Sequence, residues 1–184
     1  MKSYLIISCL FFICGAQAQQ KLSNSIPGQT SFYAELGGPG ILFSANIDRR
    51  FTKSALGLGG RIGLGFISGY GIVAKEPVPY DPNNPYYNDN RSSVVTIPVQ
   101  INYVFGKLNS SSSLEIGAGV TYTGQKLNIF DYNNNSGTSL FGTASFMYRR
   151  LPKDGGFSWR LGFTPIIAKG YIQPSAAASI GYNF

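Results

Sequence analysis

Histidine does not occur in this 184-residue chain. The Ser-His and His-Asp arrangements that activate a nucleophile are therefore excluded, and so are metal sites with histidine ligands. No serine has an identifiable lysine partner that would replace the missing base. We predict that the protein is not an enzyme, and we predict no catalytic residue, no cofactor and no metal ligand.

Cysteine is nearly absent, and both copies, Cys9 and Cys14, lie close to the start. Residues 1–18 are typical of a cleaved signal peptide, with a basic Lys2, an apolar run of about ten residues and a small-x-small site that ends at Ala18. A bilayer-spanning helix needs roughly 20 apolar residues, and the bulky Ile13 disfavours lipid attachment at Cys14. We expect the exported chain to contain no disulfide.

Charged residues are also scarce, at 12% of the chain, and no apolar run after residue 18 is long enough for a spanning helix. Glycine is abundant instead, with 23 residues, and aromatic residues make up 14%. After a polar lead-in at 19–29, apolar residues alternate with small or polar ones, which is typical of β-strands. This pattern predicts one domain at 30–184 with eight strands, at 30–38, 41–51, 55–69, 93–105, 113–124, 138–150, 157–168 and 176–184.

The first two segments are not one continuous strand. Phe32 and Leu36 are apolar at even positions, whereas Phe43 and Ile47 are apolar at odd ones. The Gly-Gly-Pro-Gly stretch at 37–40 must therefore contain either a bulge or a tight turn. A turn gives an even number of strands, so we predict a turn.

One apolar face per strand fits two architectures. In a soluble lipocalin-like barrel this face surrounds a ligand, whereas in an eight-stranded antiparallel up-and-down transmembrane barrel it faces lipid. The polar faces are rich in Gly, Ser, Thr and Asn, as a narrow lumen requires. Short connections at 52–54, 106–112 and 151–156 alternate with long ones at 70–92 and 125–137, and 169–175 is intermediate. Aromatic residues suggest interfacial girdles, namely Tyr33, Phe51, Tyr70, Tyr103, Phe105, Tyr122, Tyr148, Phe157, Trp159, Tyr182 and Phe184.

The signal peptide, the strand plan and the terminal Gly-Tyr-Asn-Phe at 181–184 resemble the small outer-membrane β-barrels of Gram-negative bacteria, the OmpA/OmpX type. Glu35-Leu-Gly-Gly, Ser44-Ala-Asn-Ile-Asp-Arg-Arg-Phe and Thr96-Ile-Pro are similar to a recurrent pattern in such barrels. The resemblance covers 30–184 and implies an outer-membrane location. It also implies that Tyr182 and Phe184 form the signal that the barrel-assembly machinery reads.

If the apolar faces meet lipid, parity directs seven charged side chains into the lumen: Glu35, Asp48, Arg50, Arg61, Glu115, Arg149 and Arg160. An eight-stranded barrel is only wide enough for side chains to fill, so we expect these charges to pair. They either close the lumen and hold the strands in register, or line a polar conduit or pocket. Glu35 and Asp48 are formal acid and base candidates, but the arginines would hold both ionised.

Loop 70–92 is the best candidate for contact with an extracellular ligand or surface. Tyr80, Tyr86 and Tyr87 offer amphipathic contact area, and Asp81 and Asp89 add charge. The loop either binds a partner or simply shields the barrel mouth. The net charge of +7 is not clustered into a nucleic-acid stripe. Under the predicted topology most of it lies at the periplasmic rim, near phospholipid headgroups, and one excess positive charge lies in the lumen.

The sequence thus favours a structural or adhesive outer-membrane barrel with a charge-plugged lumen. The alternatives are a narrow pore or small-solute transporter, and a soluble secreted ligand-binding barrel. The expected partners are outer-membrane lipid, the barrel-assembly machinery and an extracellular ligand at loop 70–92, but not nucleic acid.

Overall fold

The computed structural model describes residues 29–70, 72–73, 91–107, 110–128, 137–152 and 155–184. The predicted signal peptide, most of loop 70–92 and residues 129–136 lie outside the described residues. The strands are β1 Thr30–Gly37, β2 Phe43–Arg50, β3 Gly57–Tyr70, β4 Arg91–Gly106, β5 Ser112–Leu127, β6 Thr138–Arg150, β7 Gly156–Phe163, β8 Ile166–Ala168, β9 Tyr171–Gln173 and β10 Ala176–Asn183.

The strands close into a single antiparallel barrel. Hydrogen-bonded neighbours run β5, β4, β3, β2, β1, β10, β7 and β6, and pairing of β5 with β6 completes the ring. The eight-stranded up-and-down fold predicted from the sequence is confirmed. Closure occurs where β1 pairs with β10, from Ser31 opposite Asn183 to Gly37 opposite Ala177. We call this β1–β10 pairing the seam.

The alternation in the sequence becomes two different surfaces. On β3, Ile62, Leu64 and Phe66 point outward, and Leu64 is 62% exposed, while Arg61, at the alternate position just before them, is buried. The same alternation continues around the ring, so the outer wall is a belt of exposed apolar side chains. No helix among the described residues is long and apolar enough to cross a membrane.

Most predicted strand ends lie within three residues of the observed ones, and two of the differences have a structural cause. The second strand begins at Phe43 rather than 41, because Gly38–Gly40 forms a 3-10 turn. The seventh predicted strand, 157–168, is interrupted at Thr164 and Pro165, and β8 then continues alongside β6. Pro165 has no backbone N–H for the ladder, but its carbonyl accepts a hydrogen bond from Ala144 N at 3.0 Å. β8 and β9 form a hairpin beyond the ring.

One member of the predicted aromatic girdle is misplaced. Tyr33 was expected at the interface, but it is only 1% exposed and its ring lies inside the barrel. It occupies an odd position on β1, and the odd positions Ser31 and Glu35 on either side are buried as well. The strand parity therefore prevails over the general preference of tyrosine for interfaces.

The barrel has two distinct ends. Thr30 and Phe184 exchange backbone hydrogen bonds of 3.0 and 2.9 Å at one end, which we call the terminal rim. The connections between β2 and β3, β4 and β5, and β6 and β7 lie at this end. The 3-10 turn and the β8–β9 hairpin lie at the other, which we call the far end.

Candidate functional site

The seven charged residues expected in the lumen are all buried there, and we call them the charge cluster. They come from six strands: Glu35 from β1, Asp48 and Arg50 from β2, Arg61 from β3, Glu115 from β5, Arg149 from β6 and Arg160 from β7. Each stands at an inward position of its strand. The alternation that produces the apolar wall therefore also collects the charges.

Asp48 and Glu115 form the acidic centre of the charge cluster. Arg149 Nη1 lies 3.4 Å from Asp48 Oδ2 and 3.4 Å from Glu115 Oε2. Arg160 Nη1 lies 3.2 Å from the same Asp48 oxygen and 3.6 Å from the same Glu115 oxygen. Two guanidinium groups thus share two carboxylates that come from strands which do not pair with each other.

Asn102 on β4 joins the two carboxylates directly. Its Nδ2 donates to Asp48 Oδ2 and to Glu115 Oε1, each at 3.2 Å. Arg50 pairs with Asp48 on its other side and also donates from Nη1 to the Gly57 carbonyl at 3.0 Å. This part of the charge cluster is therefore one connected network that extends to the terminal rim.

A second group forms around Tyr33. Arg61 Nη1 donates to the Tyr33 hydroxyl at 2.9 Å and lies 3.5 Å from Glu35 Oε1. The guanidinium carbon of Arg160 stands 3.9 Å above the centre of the Tyr33 ring. Such stacking is favourable for a desolvated cation. Tyr33 therefore connects the Glu35–Arg61 pair to the acidic centre, whereas the sequence prediction had assigned it to the interfacial girdle.

The charge cluster has an excess of positive charge, with four guanidinium groups against three carboxylates. Several buried donors, among them Arg61 Nη2, Arg160 Nη2 and Arg149 Nε, have no hydrogen-bond acceptor among the described residues. A buried cation that shares its counter-ion is held less favourably than one in a private pair. The acidic residues are therefore the scarce component of this network.

Arg149 also contacts the seam from inside. Its Nη2 donates to Ser31 Oγ at 2.7 Å and to Asn183 Oδ1 at 3.1 Å. Ser31 and Asn183 are register partners and hydrogen-bond to each other. Arg149 on β6 thus bridges the two strands whose pairing closes the barrel.

The 3-10 turn folds into the lumen rather than over its edge. Gly38, Pro39 and Gly40 are all buried. The Pro39 carbonyl accepts a hydrogen bond from Thr121 Oγ1 at 2.8 Å, and the Gly40 carbonyl accepts one from Thr96 Oγ1 at 3.1 Å. The turn is therefore held by side chains of β4 and β5, which lie across the lumen from it.

An apolar layer occupies the far end of the lumen, and we call it the apolar plug. Its buried members are Ile67, Val94, Leu127, Phe141, Ile166 and Ala168, with Ile41, Ile72 and Val73 packed against them. This layer was not predicted, since the inward faces were interpreted as polar throughout. The available signal was that Ile67, Val94 and Phe141 continue the inward parity of β3, β4 and β6.

The other predicted site residues fall into two groups. Tyr182 and Phe184 are exposed on the outer wall at the terminal rim, next to the seam. The predicted contact residues of loop 70–92, which are Tyr80, Asp81, Tyr86, Tyr87 and Asp89, lie outside the described residues. Their role in binding stays a prediction.

Solved structures provide the comparison for this architecture. The N-terminal β-barrel domain of Pseudomonas aeruginosa OprF aligns with a TM-score of 0.54 and 11% identity, over 86% of this chain and 99% of that one. Ail, the attachment invasion locus protein of Yersinia pestis, solved with the heparin analogue sucrose octasulfate, aligns with a TM-score of 0.43 and 14% identity, over 84% and 95%. No protein-family model and no curated protein sequence matches the chain. What the OprF comparison establishes is the fold: the chain is an eight-stranded antiparallel barrel similar to the N-terminal β-barrel domain of OprF.

Proposed function

We propose that the protein is a structural or adhesive barrel of the Gram-negative outer membrane, with a lumen closed to solutes and no enzymatic activity. The belt of exposed apolar side chains supports the membrane location, because a soluble protein rarely exposes so large a continuous apolar surface. The barrel form supports it further, since closure leaves no unpaired strand edge in lipid. The expected leader, residues 1–18, would direct export.

The observation that carries the closed lumen is that three groups of described residues occupy it one after another along the barrel axis. From the terminal rim to the far end, a solute would meet the charge cluster, then the inward 3-10 turn, then the apolar plug. Each layer opposes passage for a different reason. Ion pairs must separate in the first, two hydrogen bonds must break in the second, and water is excluded from the third.

The adhesive part of the proposal concerns loop 70–92. The loop connects β3 to β4 at the far end, which is the outer side if the termini lie in the periplasm. Its tyrosines are suited to binding surfaces because they bury a large area at low entropic cost. Replacing Tyr80, Tyr86 and Tyr87 with serine should reduce attachment of expressing cells to a host-cell layer while leaving the barrel folded. Unchanged attachment would contradict the adhesive role and leave only the structural role supported.

Membrane fractionation with heat-modifiable gel mobility tests the location. We expect the protein in the outer-membrane fraction, with faster migration of the unboiled sample because a closed barrel stays compact in detergent. Recovery in the soluble fraction without detergent would instead support the secreted ligand-binding barrel.

Planar bilayer recordings distinguish the closed barrel from the narrow pore. A closed lumen predicts no steady conductance steps for the wild-type protein. Steady steps that change when Arg61 or Arg160 is replaced by methionine would place the ion path through the charge cluster and favour the pore.

A further inference from the structure

A cleft on the outer wall at the terminal rim has a composition unlike the apolar belt beside it. It has a volume of about 490 Å³ and lies between the end of β4, the start of β5 and the end of β6. Phe105, Leu114 and the ring of Tyr148 form its apolar part. Lys107, Ser110 and Ser112 form the polar part, so the cleft crosses from the apolar wall to the polar edge of the barrel.

The polar part presents hydroxyl groups together with a cation. Ser112 Oγ and the Tyr148 hydroxyl lie 2.8 Å apart and are hydrogen-bonded, and Ser110 accepts from Ser112 N at 3.1 Å. Lys107 is exposed at the edge. Arg150 is also exposed, stands directly opposite Ser112 in the β5–β6 ladder and shares the outward face with Tyr148. Two cations therefore flank a pair of hydroxyl groups.

Neither cation has a carboxylate partner in the described part of the chain. The acidic residues described there are Glu35, Asp48 and Glu115, and all three are buried inside the lumen. All described acidic residues thus belong to the charge cluster inside the lumen, whereas Lys107 and Arg150 lie outside it. An anion that approaches this rim meets positive charge without competition from these acids.

We propose that this cleft binds the headgroup of an anionic phospholipid, with the phosphate between Lys107 and Arg150 and an acyl chain along Phe105 and Leu114. The inference rests on the proposed membrane location. Lysine, arginine and hydroxyl groups are suitable donors for phosphate oxygens. Phe105 is 48% exposed and Leu114 60% exposed, so the apolar part is open to a lipid chain. Free phosphate would use the polar part alone.

Trp159 provides a local reporter because it is the only tryptophan in the chain. Its ring lies 5.3 Å from the ring of Tyr148, which lines the cleft. Brominated acyl chains quench tryptophan fluorescence at short range. The folded full-length barrel would be placed in phosphatidylcholine vesicles that contain increasing amounts of brominated phosphatidylglycerol or, in parallel, brominated phosphatidylcholine.

We expect brominated phosphatidylglycerol to quench Trp159 at several-fold lower mole fraction than brominated phosphatidylcholine. Each basic residue near an anionic surface contributes roughly five-fold in affinity, so Lys107→Gln with Arg150→Gln should remove the preference. Arg49→Gln with Lys53→Gln makes the same charge change elsewhere on the exposed rim and should retain it. Ser112→Ala, which keeps both cations, should weaken the preference partially.

Equal quenching by the two lipids would overturn the proposal, and so would an equal loss in the Arg49 and Lys53 control. If inorganic phosphate at constant ionic strength abolishes the preference, the ligand is free phosphate and the lipid assignment is wrong. Heat-modifiable mobility of the same vesicle samples reports insertion separately. A barrel that inserts but shows no lipid preference contradicts only the cleft, whereas a protein that does not insert contradicts the membrane location itself.

Discussion

Arg149 and Arg160 stand directly opposite each other on β6 and β7, and both side chains point into the lumen. Like charges in register destabilise a sheet unless something separates or neutralises them. Here both guanidinium groups reach the same two oxygens, Asp48 Oδ2 and Glu115 Oε2. The stability of this pairing therefore depends on the two carboxylates more than on either arginine.

Glu115→Gln should be strongly destabilising. It leaves four buried guanidinium groups against two carboxylates, and breaking a buried pair in this way costs about 3 to 5 kcal/mol. Arg160→Met should cost less, because three arginines then face three acids. Urea unfolding of the barrel in detergent, followed by Trp159 fluorescence, measures both variants.

Arg150→Met is the matched control for Arg160→Met, since Arg150 is an exposed neighbour on the same ladder. We expect its effect to stay within about 0.5 kcal/mol. A larger loss of stability for Arg160→Met than for Glu115→Gln would contradict the view that the acidic groups limit the stability of the charge cluster.

Gly181→Ala should disturb the seam. A Cβ atom at this position would stand 2.3 Å from the Phe32 carbonyl oxygen and 2.4 Å from Tyr33 Cβ, so β1 and β10 must move apart. We expect the free energy of unfolding to fall by about 1 to 3 kcal/mol. Gly124→Ala is the control, because its nearest neighbour would be the Val95 carbonyl oxygen at 4.0 Å. Equal unfolding midpoints for the two variants would show that the seam is not closely packed.

The double variant Thr96→Val with Thr121→Val should release the 3-10 turn from the lumen wall. The Pro39 and Gly40 carbonyls would remain buried without these donors, at about 1 to 3 kcal/mol each. We expect transient conductance events that the wild-type barrel lacks, recorded in planar bilayers. Thr138→Val removes an exposed hydroxyl that bonds only locally, to the Leu140 carbonyl at 2.8 Å, and should remain silent. If the double variant also shows no conductance events, the turn does not contribute to closure of the lumen.

Deletion of Phe184 should lower the amount of assembled barrel in the outer membrane. Phe184 exchanges two backbone hydrogen bonds with Thr30, and its ring belongs to the predicted assembly signal. Phe157→Ala removes a more exposed ring from β7, opposite Tyr182, and should have a smaller effect. The readout is the heat-modifiable fraction in isolated outer membranes. Normal levels of the truncated protein would argue against the signal.

Strand parity predicted which side chains share the lumen, because a period of two assigns every residue on a strand to one face. It placed Glu35, Asp48 and the arginines inside without any knowledge of the register. Height along the barrel axis is a different quantity, and it depends on the shear between strands. For that reason the sequence did not indicate that Ile67, Val94 and Phe141 would meet in one layer.

The inward 3-10 turn was unpredictable for another reason. Gly37 and Gly38 adopt φ angles of 72° and 68°, which glycine permits and which indicate a turn but not its direction. The direction depends on Thr96 and Thr121, which lie more than fifty residues further along the chain. Local sequence determines that the chain reverses, whereas partners across the ring determine where the reversal packs.

The seam has a consequence for the order of folding. Ser31 and Asn183 are separated by 152 positions, so their pairing carries the largest loop-closure entropy in the ring. Arg149 reaches these two residues only once β1 and β10 are adjacent, and the acidic centre is sealed from water in the same event. Desolvation of the charges and closure of the cylinder are therefore coupled, and intermediates with an open seam should keep their arginines hydrated. We expect the final step to be slow and all-or-none.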